Sequence, residues 1–237
     1  MLAAIGLSTL DAIALALFLL AWLGFEWGQR MPGLHQRSIT FQMDQFREHW
    51  MRNMVRRDQR VMDQISQSTL QSSVGFFAST AMLVIGALIA GLGASDQALN
   101  LLANLPLAVE TSSSVWHLKM LLLLFIFVFA FFKFAWSMRL FSYVTILVGA
   151  SPDYEIDVRS SDAEINQRLD RYALRVARLH ALAASHFSTG INAFYFAIAA
   201  LGWLLNPWVF IGATLWVWLV IYRRTFHSRF MRILTEA

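Results

Sequence analysis

The segment from Val115 to Ala150, VWHLKMLLLLFIFVFAFFKFAWSMRLFSYVTILVGA, constrains this chain more than any other stretch. Its first two thirds are apolar enough to cross a bilayer, yet it carries Lys119, Lys133 and Arg139. A helix through all of it is about 54 Å long, against roughly 30 Å of hydrocarbon. The segment is therefore expected to span the membrane over 115–140 and to continue into water, with Lys133 near the exit. Composition points the same way. The 237 residues are 57% hydrophobic and only 14% charged, where a soluble domain carries about 25% charged residues. There is no cysteine, which removes disulfides, thiol redox chemistry and cysteine-ligated metal sites.

Other spans fall on either side of this segment. The first is expected over 8–25, with Ser8 and Asp11 at capping-box spacing. It lacks a basic leader and runs into Glu26-Trp27, so it reads as a retained span and not a cleaved signal. Gly28, Pro32 and Gly33 then break it. The polar stretch 38–73 repeats Phe46, Trp50 and Met54 at helical spacing, with Val61 and Ile65 extending the stripe. Its charge is mixed, arginines with Asp44, Glu48, Asp58 and Asp63, which favours packing on protein over lying on lipid. A second span is expected over 74–94. Its pairs Gly75/Ser79, Gly86/Ala90 and Ala87/Gly91 either allow close helix approach or reflect ordinary span composition.

Beyond the organising segment, Ser151-Pro152 ends the helix and Asp153, Glu155 and Asp157 form an acidic link. Ser161 and Glu164 then start a helix over 161–183 with Leu169, Tyr172, Val176 and Leu179 on its apolar face. A fourth span over 184–205 is turned by Asn206-Pro207 into a short fifth, 208–222, that ends at Arg223-Arg224. Trp203 and Trp208 flank the turn as expected interface anchors. The expected fold is an all-α polytopic membrane bundle of about five spans, one membrane domain over 1–237. Its helical segments 38–73 and 161–183 project into the cytosol and pack around Phe141, Val144 and Leu147.

Arginine is distributed unevenly. The loop after the first span holds positions 30, 37, 47, 52, 56, 57 and 60, and the loop before the fourth holds 159, 168, 171, 175 and 178. The loop over 95–114, with Asp96 and Glu110, has no lysine or arginine. Positive charge stays on the cytoplasmic side, so the N-terminus is expected outside and the C-terminus inside, in a bacterial inner membrane. The same rule accounts for the net charge of +4 without nucleic acid as a partner.

The blocks FREHWMRNMVRRDQRVMDQ, GFFAST, FFKFAWSMRLFSYVTILVGASP and INAFYFAIAALGWLLNPW resemble an uncharacterised family of integral membrane proteins of bacteria and plants, domain of unknown function number five hundred ninety-nine. The resemblance covers nearly the whole chain. It implies one complete membrane domain and brings no activity with it.

No nucleotide-binding, nucleophile-elbow or zinc-protease motif occurs, and no two of the six histidines stand three or four apart. No cofactor or metal is expected. What remains is a set of polar groups at membrane depth, where charges are costly and are paired or face water. Asp11 and Glu26 lie about 22 Å apart along one helix, and Lys119 and Lys133 about 21 Å apart along another. Asp11 is thus expected to face Lys119, and Glu26 to face Lys133. Against this stand a capping role for Asp11 and a snorkelling one for Lys133. Thr189 and Asn192 join them on the fourth span.

Two functions compete. One is a channel or transporter in a homo-oligomer, with Lys133, Arg139 and Glu26 at the inner mouth and Asn192 and Thr189 deeper. Its clustered cations suit a small anionic solute. The other is a non-transporting scaffold, assembly or regulatory component whose cytosolic helices take a protein partner. An intramembrane enzyme is a third reading without a recognisable catalytic set.

Overall fold

The structure, a computed structural model, describes residues 6–29, 31–36, 38–95, 97–99, 109, 111–152 and 162–227. Arg30, Arg37, Asp96, Glu110, Arg159, Ser161 and the acidic run at 153–157 lie outside the described residues. The helices are α1 (Thr9–Gly28), α2 (Pro32–His35), α3 (Ile39–Met54), α4 (Val61–Gly93), α5 (Ser113–Gly149), α6 (Asp162–Leu205) and α7 (Pro207–Phe226). The described residues contain no strand. Five of these helices, α1, α4, α5, α6 and α7, are long and apolar enough to cross a membrane. The chain is a multi-pass helical membrane protein.

Short polar side chains start several of the helices. Ser8, Ser38 and Ser112 cap α1, α3 and α5 by accepting the backbone N–H three residues on. Asn206 caps α7 by accepting from Trp208 N, with Pro207 in the first turn where its missing N–H costs nothing. The helix that holds the expected 208–222 span continues through Arg223 and Arg224 to Phe226. Two guanidinium groups in a last turn complement the helix dipole instead of ending the helix.

Helix α5 is the centre of the packing, with α6 and α4 against it, α7 and α3 against α6, and α1 chiefly against α7. The main core is aromatic: Phe18, Phe134, Phe196, Trp203 and Phe210 are fully buried. Phe134 reaches α6 at Gly190, where an added Cβ would stand 2.5 Å from one ring carbon and 2.8 Å from two others. The ring has nowhere to go, since Phe77, Phe187 and Phe194 lie around it. Gly→Ala inside a helix normally stabilises by about 1 kcal/mol. Here overpacking reverses the sign, and Gly190→Ala is expected to destabilise by about 1–3 kcal/mol. Thermal unfolding in detergent is the check, and a Tm at or above wild type would contradict the packing.

A second core lies at the arginine-rich end of α5 and α6. Met51, Met54 and Val55 bury there against Val144 and Val148 of α5 and Leu169, Ala173 and Val176 of α6, with Trp50, Leu147, Tyr172 and Leu179 beside them. Tyr172 donates to the Leu147 carbonyl at 2.7 Å. The expected packing of α3 and α6 on the end of α5 is therefore present, in a shifted form. Phe46 is 50% exposed, and Val61 and Ile65 also face outward. The stripe does not run through to 73, because the helix stops at Met54 and a new one starts at Val61. The reversal brings Trp50 back to Asp63, whose Oδ1 accepts from Trp50 Nε1 at 2.7 Å and from Arg57 at 3.0 Å.

Candidate functional site

Helices α1 and α6 run antiparallel. Asp11 stands beside Trp203, Phe18 beside Phe196, and Glu26 beside Thr189 and Asn192. One acid of α1 therefore lies at each end of an aromatic middle, and at each end a lysine of α5 lines the same cavity.

At the arginine-poor end a cavity of about 430 Å³ is lined by Ser8, Asp11, Thr111, Ser112, Lys119 and Asn206, among others. Asp11 is 8% exposed and Lys119 3%. Each oxygen of the Asp11 carboxylate accepts a hydrogen bond from a neutral donor. Oδ1 accepts from Trp203 Nε1 at 2.8 Å, and Oδ2 from the Ser8 hydroxyl at 2.6 Å. Lys119 Nζ meets Thr111 Oγ1 at 3.4 Å and lies 5.8 Å from the centre of the Trp203 ring. Trp203 thus sits between the acid and the base. It is fully buried and stacked on Phe210, so it is not the interface anchor that its place beside the turn implied. Trp208, 66% exposed, fits that role.

At the arginine-rich end a cavity of about 510 Å³ is lined by Glu26 and Lys133 with Leu19, Trp22, Trp27 and Phe129, among others. Glu26 Oε1 accepts from Asn192 Nδ2 at 3.1 Å and Oε2 from Thr189 Oγ1 at 3.3 Å. Lys133 lies 5.2 Å from the centre of the Phe129 ring. Asn192 also borders a neighbouring cleft with Tyr195 and Arg224, in which Arg224 donates to the Tyr195 hydroxyl at 2.6 Å.

Each acid shares a cavity with the lysine it was expected to face. Among the described residues, neither lysine forms an ion pair. Both carboxylates are instead held by hydrogen bonds from α6 and from the cap of α1. Arg139 is exposed and does not line the cavity of Glu26 and Lys133. Six residues beyond Lys133, it points about 120° away around the helix. Between the two cavities Phe18 meets Phe196 edge-on at 5.8 Å and Phe210 at 5.1 Å, with Trp22 alongside.

A family model for proteins of unknown function, DUF599, matches residues 13–230. The chain belongs to the DUF599 family. No curated protein and no solved structure matches it. Glu26, Lys119, Lys133, Thr189, Asn192 and Trp203 all fall inside the DUF599 segment, and Asp11 lies just ahead of it.

In this DUF599 chain the sequence reading missed the part played by Trp203, Asp63 and Gln67. The last two are 3% and 0% exposed at the head of α4. The signal for them was present: Asp63, Gln67, Val74, Ala81 and Leu88 repeat on one face, and that face is the buried one. Nothing local marks Trp203. Its partner is fixed only once α1 and α6 are known to be neighbours.

Proposed function

We propose that this protein moves a small anionic solute across the membrane, binding it in turn at Lys119 and at Lys133. One observation carries the reading: two buried or half-buried lysines lack an ion pair among the described residues, one in each cavity on either side of an aromatic layer. A lysine kept at membrane depth without a carboxylate on it is a standing attraction for an anion. The neighbouring acids accept hydrogen bonds from α6 and so hold it to α1, and the ammonium groups take the solute. The rings of Phe18, Trp22, Phe196 and Phe210 form the barrier, and passage requires α1 to move relative to α6. The arginine bias supports a cytoplasmic location for the Lys133 end, and a C-terminal reporter active only in the periplasm would contradict it.

The test is flux in liposomes, with chloride, phosphate and short carboxylates offered in turn. Wild type should pass at least one. Lys119→Met and Lys133→Met should each lose at least about tenfold in flux, as expected for removal of a charge-assisted contact. Lys→Arg at either position should retain most of it, and Arg139→Met should change little. Absence of flux for every anion, from protein that is folded and monodisperse, overturns the reading.

A scaffold role draws on a different observation, the separately packed core of α3, α5 and α6 beyond the spans. It is the reading left standing if flux is absent.

A further inference from the structure

Lys133 borders not one cleft but two. The first, shared with Glu26, lies between α1 and α5. The second, of about 340 Å³, adjoins it on the α6 side of α5 and is lined by Phe132, Trp136 and His186. Phe125, Phe129 and Lys133 line both, so a single ammonium stands where two largely apolar clefts meet. Both open on the outer flank of the bundle, since Leu23, Trp27, Phe125 and Phe132 are 61–67% exposed. At that depth the outer flank faces lipid and not water.

We infer that this junction is a phospholipid site, with the phosphate on Lys133 and one acyl chain in each cleft. This rests on the reading of Lys133 as an anion-binding group and names the class of molecule that reaches it from the bilayer. Four features favour a lipid over a free anion. Lys133 lies about 30 Å along α5 from its start at Ser113, a length matching the hydrocarbon, which puts its ammonium next to the inner headgroup region. The cleft walls are aromatic and aliphatic, which a hydrated anion does not need and an acyl chain does. Two clefts that meet at one charge and run side by side along Phe125 and Phe129 match a headgroup that bears two chains. The ammonium lies 5.2 Å from the centre of the Phe129 ring and, among the described residues, forms no ion pair, which leaves it open to an anion. Basic pockets between spans on the cytoplasmic side are a recurrent setting for lipid headgroups. The Glu26 carboxylate in the first cleft disfavours a second negative charge, so a singly charged phosphodiester fits better than a doubly charged phosphomonoester.

Delipidated protein in detergent, titrated and read by native mass spectrometry, tests this with three probes. Phosphatidylglycerol supplies phosphate and chains, diacylglycerol the chains alone, and glycerophosphoglycerol the headgroup alone. Wild type should retain phosphatidylglycerol at least about tenfold better than either fragment, and Lys133→Met should lose that margin. Lys133→Arg should keep it, which separates loss of charge from loss of fold, and Arg139→Met should keep it because that exposed side chain lines neither cleft. Equal retention of glycerophosphoglycerol overturns the lipid site and leaves the anion-transport reading intact. Phosphatidylglycerol retention unchanged in Lys133→Met overturns the lipid site as well, and transport is then judged on flux alone. Equal retention of diacylglycerol shows chains without a phosphate contact, and also overturns the proposal.

Discussion

Trp203→Ala is expected to destabilise the protein by about 3–5 kcal/mol, the usual range for removing a large aromatic from a core. The side chain is fully buried, stacks on Phe210 at 5.1 Å and donates to Asp11 Oδ1 at 2.8 Å. Alanine there opens a void between α6 and α7 and also strips a donor from a carboxylate that is 8% exposed. Trp203→Phe separates the two effects. It keeps most of the volume and loses the N–H, so it should cost about 1–3 kcal/mol, the penalty for leaving a buried acceptor short of a partner. Combining Trp203→Phe with Asp11→Asn in a double-mutant cycle isolates the bond across the helices. If Trp203→Phe melts with wild type, the indole N–H does not hold α1 to α6, and the end of the bundle at Lys119 is organised by something else.

Acid is expected to weaken the fold through His180. The imidazole is 2% exposed between Trp50 and Phe141, whose rings lie edge-on at 5.5 and 5.2 Å. Among the described residues neither ring nitrogen has a hydrogen-bond partner. Burial pushes its pKa down from 6.5 to about 4, and the Arg47 guanidinium of α3 pushes in the same direction. Because the folded value is the lower one, the unfolded chain takes up the proton first. Stability is therefore intact above about pH 6.5 and falls as the pH drops towards 4. Linkage gives a loss of about 2 kcal/mol between pH 7 and pH 5. Most carboxylates titrate below that window, so the comparison with His180→Leu is clean. That variant should be at least as stable as wild type at pH 7 and nearly flat down to pH 5. The same acid slope in both proteins would mean that His180 is not the titrating group.

The class of this fold was legible because membrane burial is a one-dimensional constraint. A span must be long and apolar wherever its neighbours are, and α1, α4, α5 and α6 could be placed from composition and breakers. The length of α5 required a projecting end, and the facing stripes at Trp50, Met54, Leu169, Tyr172 and Val176 required something to cover them. The second core meets both needs. Errors arose where a local pattern had two physical outcomes. Val61 and Ile65 continue an apolar stripe on paper, but the turn at 55–60 starts a new helix whose phase puts them outside.

The polar sites divide in the same way. Residue order alone put Asp11 and Glu26 on one apolar helix and Lys119 and Lys133 on another, with the spacing of the two acids matching that of the two lysines, because a helix converts residue number into distance. The choice of partner was decided by tertiary structure alone. Matched spacing places each acid in a cavity with its lysine, but it says nothing about rotation. The carboxylates turn instead to Trp203, Thr189 and Asn192 of α6. Which neighbour a side chain meets depends on the order and rotation of helices around the bundle, and these follow from how Phe18, Phe196 and Phe210 interlock between α1, α6 and α7, residues that are far apart in the chain.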